Sequence, residues 1–417
     1  MTFSKPKGTN DFYGEQTKNW RKLEAAIHTL CAIFRVDEIR TPIYEYADLF
    51  IRGVGETSDI VQKEMFTFND AGGRLYALRP EGTANAARAY IENGMQSLPS
   101  PVKLYYIQPN FRAERPQKGR YRQHTQFGVE YYGAAGPECE AEVISVAYEL
   151  LRQIGVGGIT VHLNSIGCKD CRATYNRVLL SFMEERKHNL CDLCATRLVK
   201  NPLRVLDCKN PSCKEVIQGA PSSLSALDEE CAAHFDGVLK LLDLLRVDYV
   251  VDNGLVRGLD YYTRTVFEFV STDLGAQAVL CGGGRYDGLM ADCGGPPTPA
   301  VGFGMGLERL LLIIEEQKKK IGEDEAKLTY IGFLGDDGKK AAYGLTQQLR
   351  RAGIPVELDI CGKSMKNQMK YADKIDAGYA IIIGDNEVAS GNVNVKNMVT
   401  GEQEIQPISE IAVFLLG

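Results

Sequence analysis

The sequence lacks any long apolar run: its most apolar stretches, residues 310–314 and 380–383, fall far short of the ~20 residues a membrane-spanning helix needs. Residues 1–7 place no apolar segment behind their basic side chains, so no secretory signal is expected, and a cytoplasmic protein is. Histidine is scarce. His28, His124, His162, His188 and His234 are scattered, and no pair has the helical spacing that holds a metal between two imidazoles. No nucleophile–base triad is visible, nor any internal repeat or low-complexity stretch. An excess of positive charge is also missing: the net charge is -6, which argues against a protein that coats nucleic acid non-specifically. Nucleic-acid binding, if present, must use local basic patches.

What remains is a composition of 44% hydrophobic and 24% charged residues over 417 positions, which predicts a soluble protein of two or three domains. Trp20, Leu23, Ile27, Leu30 and Phe34 recur at helical spacing across residues 17–34. Thr41-Pro42 then starts an extended segment, because the residue before proline is pushed out of the helical region. Residues 104–107 and 127–130 read as two strands around a charged loop, and residues 264–281, rich in Thr, Val and Phe, as paired strands. Strands joined through loops, with helices attached, predict an α+β fold built on an antiparallel sheet. A cysteine-rich stretch, residues 168–213, interrupts this core. Residues 315–327 are charged and poor in large apolar side chains, which suits a helix end plus linker. Beyond them, strand-like residues 330–334, 356–359 and 379–383 alternate with helical stretches near 338–352 and 364–376, predicting a small α/β domain.

Residues 112–122 hold five basic side chains against the single acid Glu114. A charge run of this kind is commonly a solvated hairpin tip. Phe111 and Arg112, however, stand at the strand end, and the planar fork of arginine suits bidentate contact with phosphate. Phe111-Arg112-Ala113-Glu114-Arg115, followed by Phe127-Gly128-Val129-Glu130, resembles motif 2 of the class II aminoacyl-tRNA synthetases. Residues 301–310, from Val301 through Gly302, Gly304 and Gly306 to Arg309, resemble motif 3, and Thr41-Pro42-Ile43-Tyr44-Glu45 is similar to motif 1, which forms the family's dimer interface. A dinucleotide fingerprint would need a following βαβ unit and an acid about 20 positions on, whereas here the helix runs straight into the charged linker. They are expected to let a strand pass close under a ligand before the helix that carries Arg309.

Residues 255–268, residues 281–288 and Leu78-Arg79-Pro80-Glu81-Gly82-Thr83 resemble segments peculiar to the histidyl-tRNA synthetases, and the likeness runs from Lys5 to Asp373. It implies a class II antiparallel catalytic core (residues 1–167 and 248–320), a mainly helical insertion (168–247) and an α/β anticodon-binding domain (328–417). It also implies ATP-dependent activation of L-histidine, with Mg²⁺ on the outer phosphates, transfer to histidine tRNA, and a homodimer. By resemblance Arg112, Arg257 and Arg309 are the catalytic cations. Arg112 holds the α-phosphate and the amino-acid carboxylate, Arg257 lies by the α-phosphate, and Glu114 and Arg309 bind ATP. Glu81, Gly82, Thr83, Gln126, Glu130, Tyr261 and Tyr262 complete the histidine pocket with Arg112 and Arg257. Glu81, Thr83 and Gln126 would hold the α-amino group, and Glu130 and Tyr262 would pair with the ring nitrogens. Read without the family, Glu81 is a helix-start acid after Pro80, and the two tyrosines are strand packing. Arg115, Gln117 and Lys118 match the loop that meets the tRNA acceptor end, with Gln117 placed to read an extra 5′ nucleotide. One departure stands at His124-Thr125, where the family more often shows an aromatic residue first.

Lys366, Lys370 and Lys374 form a basic stripe on one predicted helix face, read as a contact for the anticodon stem or loop, or else as an ordinary solvated face. A pocket that hydrogen-bonds its substrate rejects analogues lacking those groups by roughly 10⁴–10⁵-fold, so no editing domain is required. Cys168-x-x-Cys171, Cys191-x-x-Cys194 and Cys208-x₄-Cys213 leave two readings open: a structural zinc on Cys191, Cys194, Cys208 and Cys213, or reduced, partly buried thiols. The rival for the whole chain is a synthetase-like regulatory protein that senses histidine without charging tRNA.

Overall fold

The structure, a computed structural model, describes residues 3–55, 58–271, 278–322 and 326–416. Its strands in chain order are β1 (Asp37–Glu38), β2 (Tyr44–Tyr46), β3 (Thr67–Asn69), β4 (Leu75–Leu78), β5 (Val102–Phe111), β6 (Gln123–Tyr132), β7 (Ile159–Ser165) and β8 (Tyr249–Val251). They continue as β9 (Thr263–Ser271), β10 (Ala278–Arg285), β11 (Ala300–Gly306), β12 (Thr329–Phe333), β13 (Val356–Leu358), β14 (Tyr379–Ile383), β15 (Asn392–Asn397) and β16 (Gln403–Pro407). The chain divides into two units, residues 1–322 and 323–417.

In the first unit, eight strands form one sheet in the order β1-β5-β6-β11-β10-β9-β7-β8. Every central pair is antiparallel, and only the edge pairs β1/β5 and β7/β8 are parallel. The expected α+β fold is therefore present. Side chains alternate across a strand, so Phe127, Val129 and Tyr131 of β6 enter the main core with Val301, Phe303 and Met305 of β11. Helix Glu15–Ile33 covers that face through Trp20, Leu23, Ile27, Leu30 and Cys31, and the helix Pro137–Gln153 joins it. Phe34, expected on the same stripe, is the half-buried residue that closes the first helix. The other face of the sheet carries Gln126, Gly128 and Glu130. Of the paired strands expected over 264–281, residues 272–277 lie outside the described residues, as do 323–325 of the expected linker.

Thr41 and Pro42 lead into β2, which joins β4 and β3 in a small antiparallel sheet. The Arg79 guanidinium ties this turn down, donating to the carbonyls of Thr41 at 2.8 Å and Pro42 at 3.0 Å. Between β7 and β8 the cysteine-rich region forms helices Lys169–Glu184, Asp192–Lys200, Pro211–Ile217 and Glu229–Leu244. It has its own small core around Tyr175, Leu179, Met183, Leu198 and Val205.

In the second unit β13, β12 and β14 are parallel and β15 and β16 extend the sheet antiparallel, an α/β arrangement. Ile331, Leu349, Ile381, Ile383 and Val395 fill its core. Helix Met365–Lys374 buries Gln368 and Ala372 and leaves Lys366, Lys370 and Lys374 exposed. Among the described residues no helix is long and apolar enough to cross a membrane.

Candidate active site

Register sets the floor of the site. Gly302, Gly304 and Gly306 of β11 stand beside Glu130, Gly128 and Gln126 of β6, and Gly284 and Gly282 of β10 stand beside Gly302 and Gly304. A band of glycine thus crosses three central strands. Its reason is steric: a Cβ at Gly302 would lie 1.8 Å from Oε2 of Glu130, one at Gly304 1.9 Å from Nε2 of Gln126, and one at Gly282 2.4 Å from the Arg257 guanidinium. The expectation of a strand passing under a ligand is thereby refined. These glycines make room for the side chains that shape the cleft, and of the three on β11 it is Gly306 that has open space above it.

Glu130 is fully buried and accepts hydrogen bonds from Thr83 Oγ1 at 2.8 Å, from the Tyr106 hydroxyl at 3.0 Å and from the Tyr286 hydroxyl. Burial pushes its carboxyl up to about 8; the nearby Glu81 adds to the rise, and the three hydroxyls oppose it. Glu81, also buried, accepts the backbone N–H groups of Thr83 and Ala84, each at 2.8 Å, at the start of helix Thr83–Glu92. The plain reading of Glu81 as a helix-start acid is therefore what these bonds show. Burial raises its carboxyl too. The Tyr261 ring lies 4.7 Å from Tyr262 and 5.6 Å from Tyr286, making an aromatic wall beside these acids. Gly82 packs so close to the Tyr106 ring that a Cβ there would clash at 2.2 Å.

The arginines gather around the same cleft. Arg112 follows β5, and its Nε donates to the Pro80 carbonyl at 2.8 Å. Arg257 lies over Gly282, pairs with Glu268 of β9 and sits 6.0 Å from the Tyr262 ring centre. Its Nε is buried with no hydrogen-bond partner among the described residues. Arg309, on helix Leu307–Glu316, donates from Nε to the Gly119 carbonyl at 3.1 Å and from Nη1 to that of Val279. His124 lies within electrostatic reach of both Arg112 and Arg309. Burial first, then those two cations, holds its imidazole down at about 3, so it is neutral.

The charged loop is folded. Gln117 and Arg120 exchange backbone hydrogen bonds at 3.0 and 2.9 Å, Arg120 lies 3.6 Å from Glu114, and Lys118 pairs with Glu316 at 2.6 Å. Arg115 is exposed. A groove of about 340 Å³ beside the loop is lined by Lys5, Lys7, Asn10, Gln117, Lys118 and Tyr121.

Sequence reasoning missed Tyr106, Tyr286 and Glu268 as partners of the site, although Glu268 ends the segment 255–268 and Tyr286 lies within 281–288. In that second block Arg285 proves structural: it is buried and bonds Glu140 through Nε at 2.7 Å. Also missed was the hold of the insertion on residues 258–262. Arg172 donates to the Tyr262 carbonyl, Arg204 to that of Gly258, and Asn201 to Asp260 Oδ1 at 2.9 Å.

A family model described as Histidyl-tRNA synthetase matches residues 8–310. The chain belongs to the histidyl-tRNA synthetase family. A second model, described as Anticodon binding domain, matches residues 328–416. The histidine–tRNA ligase of Acetivibrio thermocellus is 50% identical over 404 residues, 97% of this chain and 97% of that one. That of Caldanaerobacter subterraneus subsp. tengcongensis is 47% identical over 411 residues, 99% of each chain. The crystal structure of apo histidyl-tRNA synthetase from S. aureus superposes with a TM-score of 0.85 at 37% identity, covering 100% of both chains. Histidyl-tRNA synthetases are class II enzymes, and the antiparallel core, the glycine-floored cleft and the terminal α/β unit fit that class.

Proposed function

We propose that the chain activates L-histidine with ATP to give histidyl-adenylate and pyrophosphate, then transfers the histidyl group to the 3′ end of histidine tRNA and releases AMP. The observation that carries this reading is the convergence of Arg112, Arg257 and Arg309 on one cleft next to the buried Glu81–Glu130 pocket. Arg112 and Arg309 both lie within electrostatic reach of His124, and Glu268, the partner of Arg257, lies within electrostatic reach of Arg309.

Activation is in-line attack: a histidine carboxylate oxygen bonds to the α-phosphorus as the bond to pyrophosphate breaks. The protein's part is positioning and stabilising the charge that spreads over the phosphate. Arg112 orients the α-phosphate and the carboxylate together, Arg257 lies by the α-phosphate, and Arg309 and Glu114 hold ATP. Mg²⁺ arrives as part of the nucleotide substrate, on its outer phosphates. Glu130 accepts from one ring N–H of histidine and Tyr262 pairs with the other nitrogen, while Glu81, Gly82, Thr83, Gln126 and Tyr261 enclose the α-amino side.

For the tRNA, the exposed Arg115 and, along the basic groove, Gln117 and Lys118 face the acceptor end, and the exposed lysine stripe of helix Met365–Lys374 faces the anticodon region. We assign the catalytic core to 1–167 and 248–320, the insertion to 168–247 and the anticodon-binding domain to 328–417, in a cytoplasmic homodimer. Support for the dimer is the exposed apolar surface of the small sheet, where Tyr44, Tyr46, Phe68 and Leu75 are each 44–55% exposed. The regulatory rival is disfavoured by the anticodon-binding match and the intact arginines.

The test is charging of histidine tRNA with labelled histidine. The reading expects ATP-dependent charging that Gln117→Ala weakens when the substrate carries the extra 5′ nucleotide. Folded protein that binds histidine but charges no tRNA would establish the regulatory rival instead.

A further inference from the structure

We propose that the inserted region holds two structural zinc ions, one on Cys191, Cys194, Cys208 and Cys213 and one on Cys168, Cys171, Asp228 and Cys231. In each set the four ligand atoms lie within 4.8 Å of one another. With Zn–S bonds of about 2.3 Å, the edges of a tetrahedral site are about 3.8 Å long. Cys191 Sγ lies 3.9 Å from Cys208 Sγ, and Cys168 Sγ lies 3.6 Å from Cys171 Sγ. A disulfide would need about 2.05 Å, and all of these cysteines are free.

The backbone around the sulfurs is arranged for thiolates. The N–H of Cys191 points at Cys213 Sγ (3.2 Å), that of Asp228 at Cys171 Sγ (3.1 Å) and that of Cys171 at Cys168 Sγ (3.5 Å). Hydrogen bonds donated to sulfur favour its charged form, the form that binds metal. One construction recurs three times: a ligand at the helix cap and another three residues on. Cys168 and Cys171 open helix Lys169–Glu184, Cys191 and Cys194 open Asp192–Lys200, and Asp228 and Cys231 open Glu229–Leu244. Asp228 divides its carboxylate: Oδ1 accepts the Cys231 N–H at 2.7 Å, and Oδ2 stands 3.3 Å and 3.0 Å from Cys168 and Cys171 Sγ. A ligating carboxylate held by a backbone donor is the usual supporting arrangement of a metal site. Sulfur-rich tetrahedral sets select zinc among the common divalent ions.

The two sites differ in what they fasten. The Cys/Asp site joins the start of the insertion to its last helix, and Arg172, which holds the Tyr262 carbonyl, follows its ligand Cys171. The all-cysteine site brackets residues 195–207, which contain Asn201 and Arg204, the side chains holding Asp260 and Gly258. Metal would therefore stiffen the support of residues 258–262. That link to substrate binding rests on the proposed reaction, whereas the metal sites themselves do not.

Metal content of untagged protein, purified without added zinc or chelator, decides the matter. Two zinc ions per chain are expected, falling to one in Cys208→Ser and to one in Cys171→Ser. Should either variant fail to fold, cobalt(II) exchanged into the unaltered protein is expected to show intense thiolate-to-metal absorption at two equivalents. Folded protein with no metal and freely titrating thiols, or with disulfides in these sets, would overturn both sites. One zinc that Cys208→Ser loses and Cys171→Ser keeps would overturn the Asp228 site alone. Given two metals, stripping them is expected to raise KM for histidine several-fold, and an unchanged KM would overturn the link to residues 258–262.

Discussion

Glu130 sits in a cage of three hydroxyls with a second carboxylate nearby, and burial governs its proton. Its folded carboxyl titrates near 8 against an ordinary value of 4.5, so between these pH values the folded chain holds the proton more tightly than the unfolded one. The resulting stabilisation is full below about pH 4.5 and is lost as pH rises through 8. Glu130→Gln removes that dependence. Denaturant unfolding of the ligand-free protein is expected to show wild type losing roughly 2–4 kcal/mol relative to the variant between pH 5 and pH 8. Parallel curves for the two proteins would mean that the Glu130 proton is not held in this way. Glu130 and the arginines were legible as residues because the motifs mark them. The cage was not, since Tyr106 and Tyr286 reach Glu130 from 24 and 156 positions away. His124 is a case of its own: the departure from the family pattern was visible, but its neutral, half-buried state near two arginines is a product of packing.

At the scale of elements, β6 and β11 work as a matched pair, large polar side chains on one strand and glycines opposite. Gly302→Ala would press a methyl group against Glu130 Oε2 and against the Val129 carbonyl at 2.6 Å, and the backbone oxygen cannot swing aside. It is expected to cost about 1–3 kcal/mol in stability, read from chemical unfolding, and to weaken histidine binding measured by calorimetry. Gly306→Ala, with open space above it, is the control and should stay within about 0.5 kcal/mol of wild type. Equal losses in the two variants would contradict the steric role. The hairpin β5–β6, the helix Glu15–Ile33 and, in the last unit, β12 to β14 with the two helices between them were legible from period and turn signals, because those patterns are local; β15 and β16 were not read. The grip of the insertion on residues 258–262 was not. Arg172 and the Tyr262 carbonyl are 90 positions apart, and no local pattern reports such a bond.

Across the whole molecule, the order of blocks from Lys5 to Asp373 carried the family, and the full-length similarity to histidine–tRNA ligases agrees with it. The segment 255–268 gathers the chemistry most tightly: Arg257 with its partner Glu268, Tyr261 and Tyr262 on the pocket, and residues 258–262 held from the insertion. Removing Arg257 alone would leave Glu268 half-buried and unpaired, so the informative variant pairs Arg257→Ala with Glu268→Gln. Histidine-dependent exchange of pyrophosphate into ATP is the measurement to make on it. Wild type should exchange with histidine and no other amino acid, and the double variant should lose at least about 100-fold in rate, in keeping with loss of a charge-stabilising group, while still binding histidine. Exchange at the wild-type rate in the folded double variant, or none in wild type, would contradict the assignment of this cleft to histidine activation.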